Sequence, residues 1–286
     1  MKSTFLTLLL SLSVTLGAAP VRNGVVEAEL VSAVASIQPG KPFTVALRLK
    51  HDAHWHSYWV NPGTGLATSL AWKLPEGFKA AEIEWPVPQL LRDASGKMTG
   101  YGYEGEILLP VLITPPAGLI PGKEVVLRAR ADWLACKESC MPGGADLTLK
   151  LPVKAHTPKG DPEWSDKIAA AYDRMPVGLP EQWKATAVRQ GKTVQLHLAV
   201  AAGERPVATT LHFLSNNNFI DYEQPQVVKA APDGYIFQLP VAESADPKTA
   251  FLSGVVRADK GWGEAAGLNE DTGLQIEVLL EAPPAL

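Results

Sequence analysis

The stretch "KPFTVALRLK", Lys41 to Lys50, alternates Phe43, Val45, Leu47 and Leu49 with Thr44, Ala46, Arg48 and Lys50. A repeat of two marks a strand with one face in a core and the other towards water. Outward from it, "EILLPVLI" (106–113), "EVVLRARADWL" (124–134) and "ADLTLKLPV" (145–153) are similar short runs, separated by the turn signals "LPEG", "PPAG" and "IPGK". The first half of the chain is therefore expected to be an antiparallel sandwich.

One segment departs from this period. "SDKIAAAYDRM" (Ser165 to Met175) reads as a helix, with Ser165 as its N-cap and Ile168, Tyr172 and Met175 on one face. It follows "HTPKGDPEW", which has the composition of a linker. Strand patterning then returns and repeats the first half: "TVALRL" (44–49) is echoed by "TVQLHL" (193–198). A shift of 127 residues also lays Arg130 on Arg257 and "LTLKL" (147–151) on "LQIEV" (274–278). The expected fold is all-β: two antiparallel β-sandwich domains and one short linking helix. Residues 20–158 form the first domain and residues 159–286 the second, a degenerate duplicate.

The chain has 286 residues, 46% of them hydrophobic and 20% charged, enough for two ordinary cores. A net charge of -4 without any Lys/Arg stripe argues against a nucleic-acid partner. "MKSTFLTLLLSLSVTLGAAP" joins a basic Lys2, an apolar run and the small residues Gly17 to Ala19, the pattern of a cleaved export signal over residues 1–19. No later run is long and apolar enough to span a bilayer, so the mature chain is expected not to insert, and any membrane partner to be a separate chain. An exported chain sits where disulfides persist.

Both cysteines lie in "DWLACKESCMPG" (132–143), as Cys136 and Cys140. Three uses are open to them. As a staple, a ring of about five residues stabilises by only roughly 2 kcal/mol, and under the 127-residue shift both positions fall on glycines, Gly263 and Gly267. As a metal clip, the pair needs two further ligands, for which His51, His54 and His56 of "HDAHWHSYW" are the candidates, His54 and His56 sharing a strand face; copper is the ion these donors suit best. As a redox pair, a thiolate would attack a partner disulfide through a mixed-disulfide intermediate, with Met141 and Pro142 ending an exposed loop. No hydrolase, nucleotide-binding or zinc-protease signature is present.

"HWHSYWVNPGTG" (54–65), "LPEGFKAAEIEWPVP" (74–88), "GYGYEGEILLPV" (100–111) and "ADWLACKESCMPG" (131–143) together resemble the periplasmic N-terminal region of the thiol:disulfide interchange protein DsbD, above all its suppressor of copper sensitivity B branch. "NNNFIDYEQPQ" (216–226) resembles the second sandwich of that branch. The resemblance implies immunoglobulin-like sandwiches and a thiol-disulfide oxidoreductase without a cofactor. It implies a periplasmic relay that takes electrons from a thioredoxin-like domain or protein fed by a membrane transporter, and passes them to disulfide isomerases or reductases. By motif position Cys136 and Cys140 are the redox pair, Cys140 forming mixed disulfides and Cys136 resolving them. The family's aromatic cap loop corresponds to "SGKMTGYGYEG" (95–105), with Tyr101, Tyr103 and Met98 as shield candidates; the tyrosines read equally as sandwich packing. Two rival readings remain: a copper-binding or copper-tolerance protein without redox turnover, and an adaptor with an inert disulfide.

Overall fold

The computed structural model describes residues 19–93, 95–201, 210–259, 262 and 272–281. The export signal and the paired glycines Gly263 and Gly267 lie outside these residues, apart from Ala19. In chain order the first unit contains β1 (Val21–Asn23), β2 (Val26–Ser32), β3 (Phe43–His51), β4 (His56–Tyr58), β5 (Ser69–Lys73), β6 (Lys79–Ala80), β7 (Gln89–Arg92), β8 (Met98–Glu104), β9 (Glu106–Thr114), β10 (Glu124–Cys136) and β11 (Cys140–Pro152). Helix α1 (Ser165–Tyr172) follows. The second unit contains β12 (Lys184–Gln190), β13 (Thr193–Ala199), β14 (Leu211–Ser215), β15 (Val227–Ala231), β16 (Gly234–Pro240), β17 (Phe251–Ala258) and β18 (Gly273–Glu281).

The first unit is a sandwich of two sheets, ordered β1-β2-β3-β9-β6 and β11-β10-β4-β8-β7, with β5 sharing the β10 edge with β4. Period-2 burial builds it: Val45, Leu47 and Leu49 on β3 face Leu127, Ala129, Ala131 and Trp133 of β10 across one core. The second unit stacks β14-β17-β18 on β12-β13-β16-β15 around Phe213, Phe237 and Trp262. Its layers are joined by a short parallel pairing of β12 with β18, a departure from the antiparallel expectation. The fold is thus all-β, two immunoglobulin-like sandwiches and one helix.

Strand order corresponds between the units: β2-β3-β9-β6 matches β12-β13-β16-β15, and β10-β11 matches β17-β18. In the latter pair register is kept under the 127-residue shift, Arg130↔Asp146 becoming Arg257↔Gly273.

Helix α1 packs Ile168 and Ala171 on Val31, Ala46 and Leu108, the outer face of the first sheet. Its N-cap is Trp164, not Ser165, which is already helical. Asp161 caps this end instead, because its Oδ1 accepts from the backbone N–H groups of Glu163 and Trp164 at 2.9 and 3.0 Å. On the same sheet face Arg48 donates to Glu27 and Glu29, at 2.8 and 3.0 Å, and to Glu106.

The sandwiches meet over the ends of β4, β7 and β8. Asn61, buried just past β4, donates its amide to the carbonyls of Ser215 and Asn217, both at 2.8 Å. Arg257 donates to Pro88 O at 2.9 Å, Lys97 pairs with Glu223 at 3.0 Å, and Tyr222 meets Tyr101 edge-on. Leu214 and Val255 of the second unit are packed into the first core.

Candidate functional site

The β10-β11 hairpin carries both cysteines at its tip. Along β10 every second residue points to the core, and the alternate residues from Glu124 to Leu134 are exposed or half-buried. The pattern breaks at the end, where Ala135 and Cys136 are both buried. Ala135 belongs to the core; Cys136 projects from the opposite face and is sealed there by side chains from neighbouring strands. Cys136 and Cys140 are direct cross-strand partners with Cα atoms 4.1 Å apart, joined as a disulfide. The sulfurs are unequally placed: Cys136 is 3% exposed, while Cys140 and the link Lys137, Glu138 and Ser139 are open to solvent. Met141 and Pro142 do not end the loop. They lie within β11, opposite Ala135 and Leu134, and are exposed.

The cover over Cys136 consists of Tyr58 and Leu91, each 3% exposed, with Leu134 alongside. Tyr101 and Tyr103, the expected shield, sit in the core of the first sandwich. The physical reason is strand parity. On β8 the tyrosines alternate with Gly100 and Gly102, so rings on the core face leave glycines next to them on the cysteine face, with Glu104 at the strand end. Tyr103 donates its hydroxyl to Pro86 O at 2.6 Å, and Tyr101 meets Trp59 edge-on. Burial raises the pKa of both phenols. Met98 is partly exposed and packs at the rim of the same core.

The glycines are what let Tyr58 and Leu91 in. A Cβ at Gly102 would overlap the Ser57 carbonyl oxygen and lie 2.9 Å from Leu91 Cδ1; one at Gly65 would overlap the Tyr58 ring, while one at Gly100 would meet the Pro62 carbonyl oxygen. Sequence reasoning missed Tyr58 and Leu91. The signal present was "GYGY" itself, since a glycine at every second position marks a face on which something large must rest.

The histidines divide. His51 is buried, its Nδ1 2.7 Å from Gly105 O and its Nε2 without a hydrogen-bond partner among the described residues. His54 is exposed at φ 67°, in the turn before β4, so it does not share a strand face with His56. His56 is 8% exposed and directly opposite Cys136, with Nε2 3.4 Å from the Tyr58 hydroxyl. Among the described residues no three His, Cys, Asp or Glu side chains converge to hold a metal ion.

Burial, helped by the charge of nearby His51, lowers the His56 pKa from 6.5 to about 4. The native chain therefore binds fewer protons than the unfolded chain between these values, and stability falls as pH drops through this window. A full shift of this size corresponds to on the order of 3 kcal/mol, most of it lost by pH 4.5. Denaturant unfolding of wild type at pH 7 and pH 4.5 is expected to show this loss, reduced in His56→Phe. An equal loss in the variant would exclude His56 as its source.

Two all-β sandwiches present a hairpin disulfide with one sulfur sealed and one open. Residues 23–152 match the family model described as "Thiol:disulfide interchange protein DsbD, N-terminal", so the first sandwich is a domain of that kind. The fold of both sandwiches is similar to the N-terminal periplasmic domain of ScsB from Proteus mirabilis, with 15% identity, a TM-score of 0.63, and coverage of 90% of this chain and 94% of that one. Two further structures, the periplasmic chaperone SfaE (9% identity, 89% of this chain and 100% of that one) and a Porphyromonas gingivalis W83 protein of unknown function (12%, 90% and 100%), have TM-scores of only 0.21 and 0.23. No curated protein matches the chain in sequence.

Proposed function

We propose that the protein relays electrons in the periplasm through Cys136 and Cys140, as a thiol-disulfide oxidoreductase. Its electrons come from a thioredoxin-like domain or protein fed by a membrane transporter, and go to disulfide isomerases or reductases. The observation that carries this reading is the unequal exposure of the pair. A staple has no need of an open sulfur, whereas exchange needs one sulfur a partner can reach and one held back to resolve the mixed disulfide. Cys140 is the partner-facing sulfur and Cys136 the resolving one. Residues 20–158 form the redox domain and residues 159–286 a duplicate without cysteines, a division supported by the matching strand order. Export through residues 1–19 fits the periplasmic setting of the family. No helix among the described residues is long and apolar enough to cross a membrane.

The test is trapping with a thioredoxin-like protein whose own resolving cysteine is removed. Cys136→Ser, its Cys140 first converted to a mixed disulfide with a small aromatic thiol, is expected to release that thiol and accumulate the protein–protein disulfide, and Cys140→Ser treated alike to form none. A wild-type disulfide that resists reduction until the fold is melted, with no trapping, would make the pair a staple and end the relay reading.

A further inference from the structure

One rung of the second sheet runs across four strands. Glu104 on β8, His56 on β4, Cys136 on β10 and Cys140 on β11 are successive backbone partners. Directly opposed residues project from the same face with Cβ atoms about 4.5–5.5 Å apart. The rung therefore sets an imidazole beside the buried sulfur. Cys136 is closed over by Tyr58, Leu91 and Leu134, so its proton lacks the free access to water that the Cys140 proton has. We propose that His56 carries the proton of Cys136 during exchange, accepting it when Cys136 attacks and returning it when Cys136 leaves. This inference rests on the exchange reading of the pair.

The step balances as follows. With Cys140 joined to the partner's sulfur, Cys136 attacks Cys140 Sγ. The Cys136 S–H bond breaks and its proton passes to an imidazole nitrogen. The Cys136–Cys140 bond forms, and the partner's sulfur leaves with the electron pair as a thiolate, which takes up the proton from the imidazolium or from solvent. The protein's dithiol is oxidised and the partner's disulfide reduced by two electrons. In the reverse direction Cys136 leaves as a thiolate and is protonated from the same ring.

The groups facing His56 suit this task. Buried His51 stands behind it on β3, Tyr58 shares its strand, exposed Glu104 flanks it on β8, and Lys137 and Glu138 lie exposed in the hairpin link. Burial and His51 keep the ring neutral at pH 7 while the disulfide is closed, so it is free to accept a proton. A thiolate formed beside it would in turn favour the imidazolium. The Tyr58 hydroxyl, 3.4 Å from Nε2, stays protonated because burial raises its pKa, so it can orient the ring but not hold the proton.

The test separates this inference from the relay. In Cys140→Ser, Cys136 is the sole thiol and its ionisation can be followed by thiolate absorbance against pH. Adding His56→Phe or His56→Gln is expected to raise its apparent pKa by about one unit. In the otherwise wild-type chain, resolution of a mixed disulfide with a small aromatic disulfide is expected to slow about 10–100-fold at neutral pH. Mixed-disulfide formation by Cys140, measured in Cys136→Ser, should stay within about twofold on adding either substitution. Unchanged titration and resolution in variants that fold would overturn the inference. Should neither variant fold, histidine NMR of the wild type decides: the His56 pKa must rise on reduction, and a constant value overturns the proposal. Failure to exchange with any thioredoxin-like protein, with the small-disulfide results intact, would sink the relay and leave His56 standing.

Discussion

Tyr58→Ala is expected to make the Cys136–Cys140 bond reducible by small thiols on the order of tenfold faster than in wild type, because it opens Cys136, the sealed sulfur, as a second point of attack beside Cys140. The ring lies between Gly65 and Gly100 and covers Cys136, and no other Phe, Tyr or Trp among the described residues packs in that cluster. Removing it leaves a cavity that should also cost about 3 kcal/mol of stability. Tyr58→Phe keeps the ring and should leave the reduction rate near that of wild type. The check is stopped-flow reduction with a monothiol, run beside Tyr101→Phe as a core control. Equal rates in Tyr58→Ala and wild type would show that this ring does not guard the bond.

The second large effect is expected at Asn61. One buried side-chain amide joins the two sandwiches by donating to Ser215 O and Asn217 O. Asn61→Leu leaves both carbonyls unsatisfied, at about 1–3 kcal/mol each. Two further polar contacts between the sandwiches, Lys97 with Glu223 and Arg257 with Pro88 O, lie at the margins. Denaturant unfolding followed by calorimetry and fluorescence should change from one transition to two as the sandwiches separate energetically. A single transition at the wild-type midpoint would mean that the apolar contact of Leu214 and Val255 suffices alone.

Much of this architecture is legible in the chain. The alternation in Lys41 to Lys50 becomes β3, the runs after it become β9, β10 and β11, and the 127-residue shift reproduces the pairing of one hairpin in the other. These readings succeed because a strand between core and water must alternate. The cover over the cysteines is harder to read. β4 has only three residues, too short to display a period, and whether the rings of β8 face the core or the sulfur is set by its partner strand. Leu91 reaches the site from β7, next to a break in register. At the helix start an Asx-type cap at Asp161 pre-empts the Ser165 cap that the sequence predicts.

The hairpin tip also fixes an order of events. With Cys136 enclosed and Cys140 alone at the surface, the site has a single point of attachment, and two thiol partners cannot occupy it together. A donor must depart before an acceptor arrives. Turnover between any two such partners should therefore follow substituted-enzyme kinetics, giving parallel double-reciprocal plots, and each partner should inhibit the other by occupying the same sulfur.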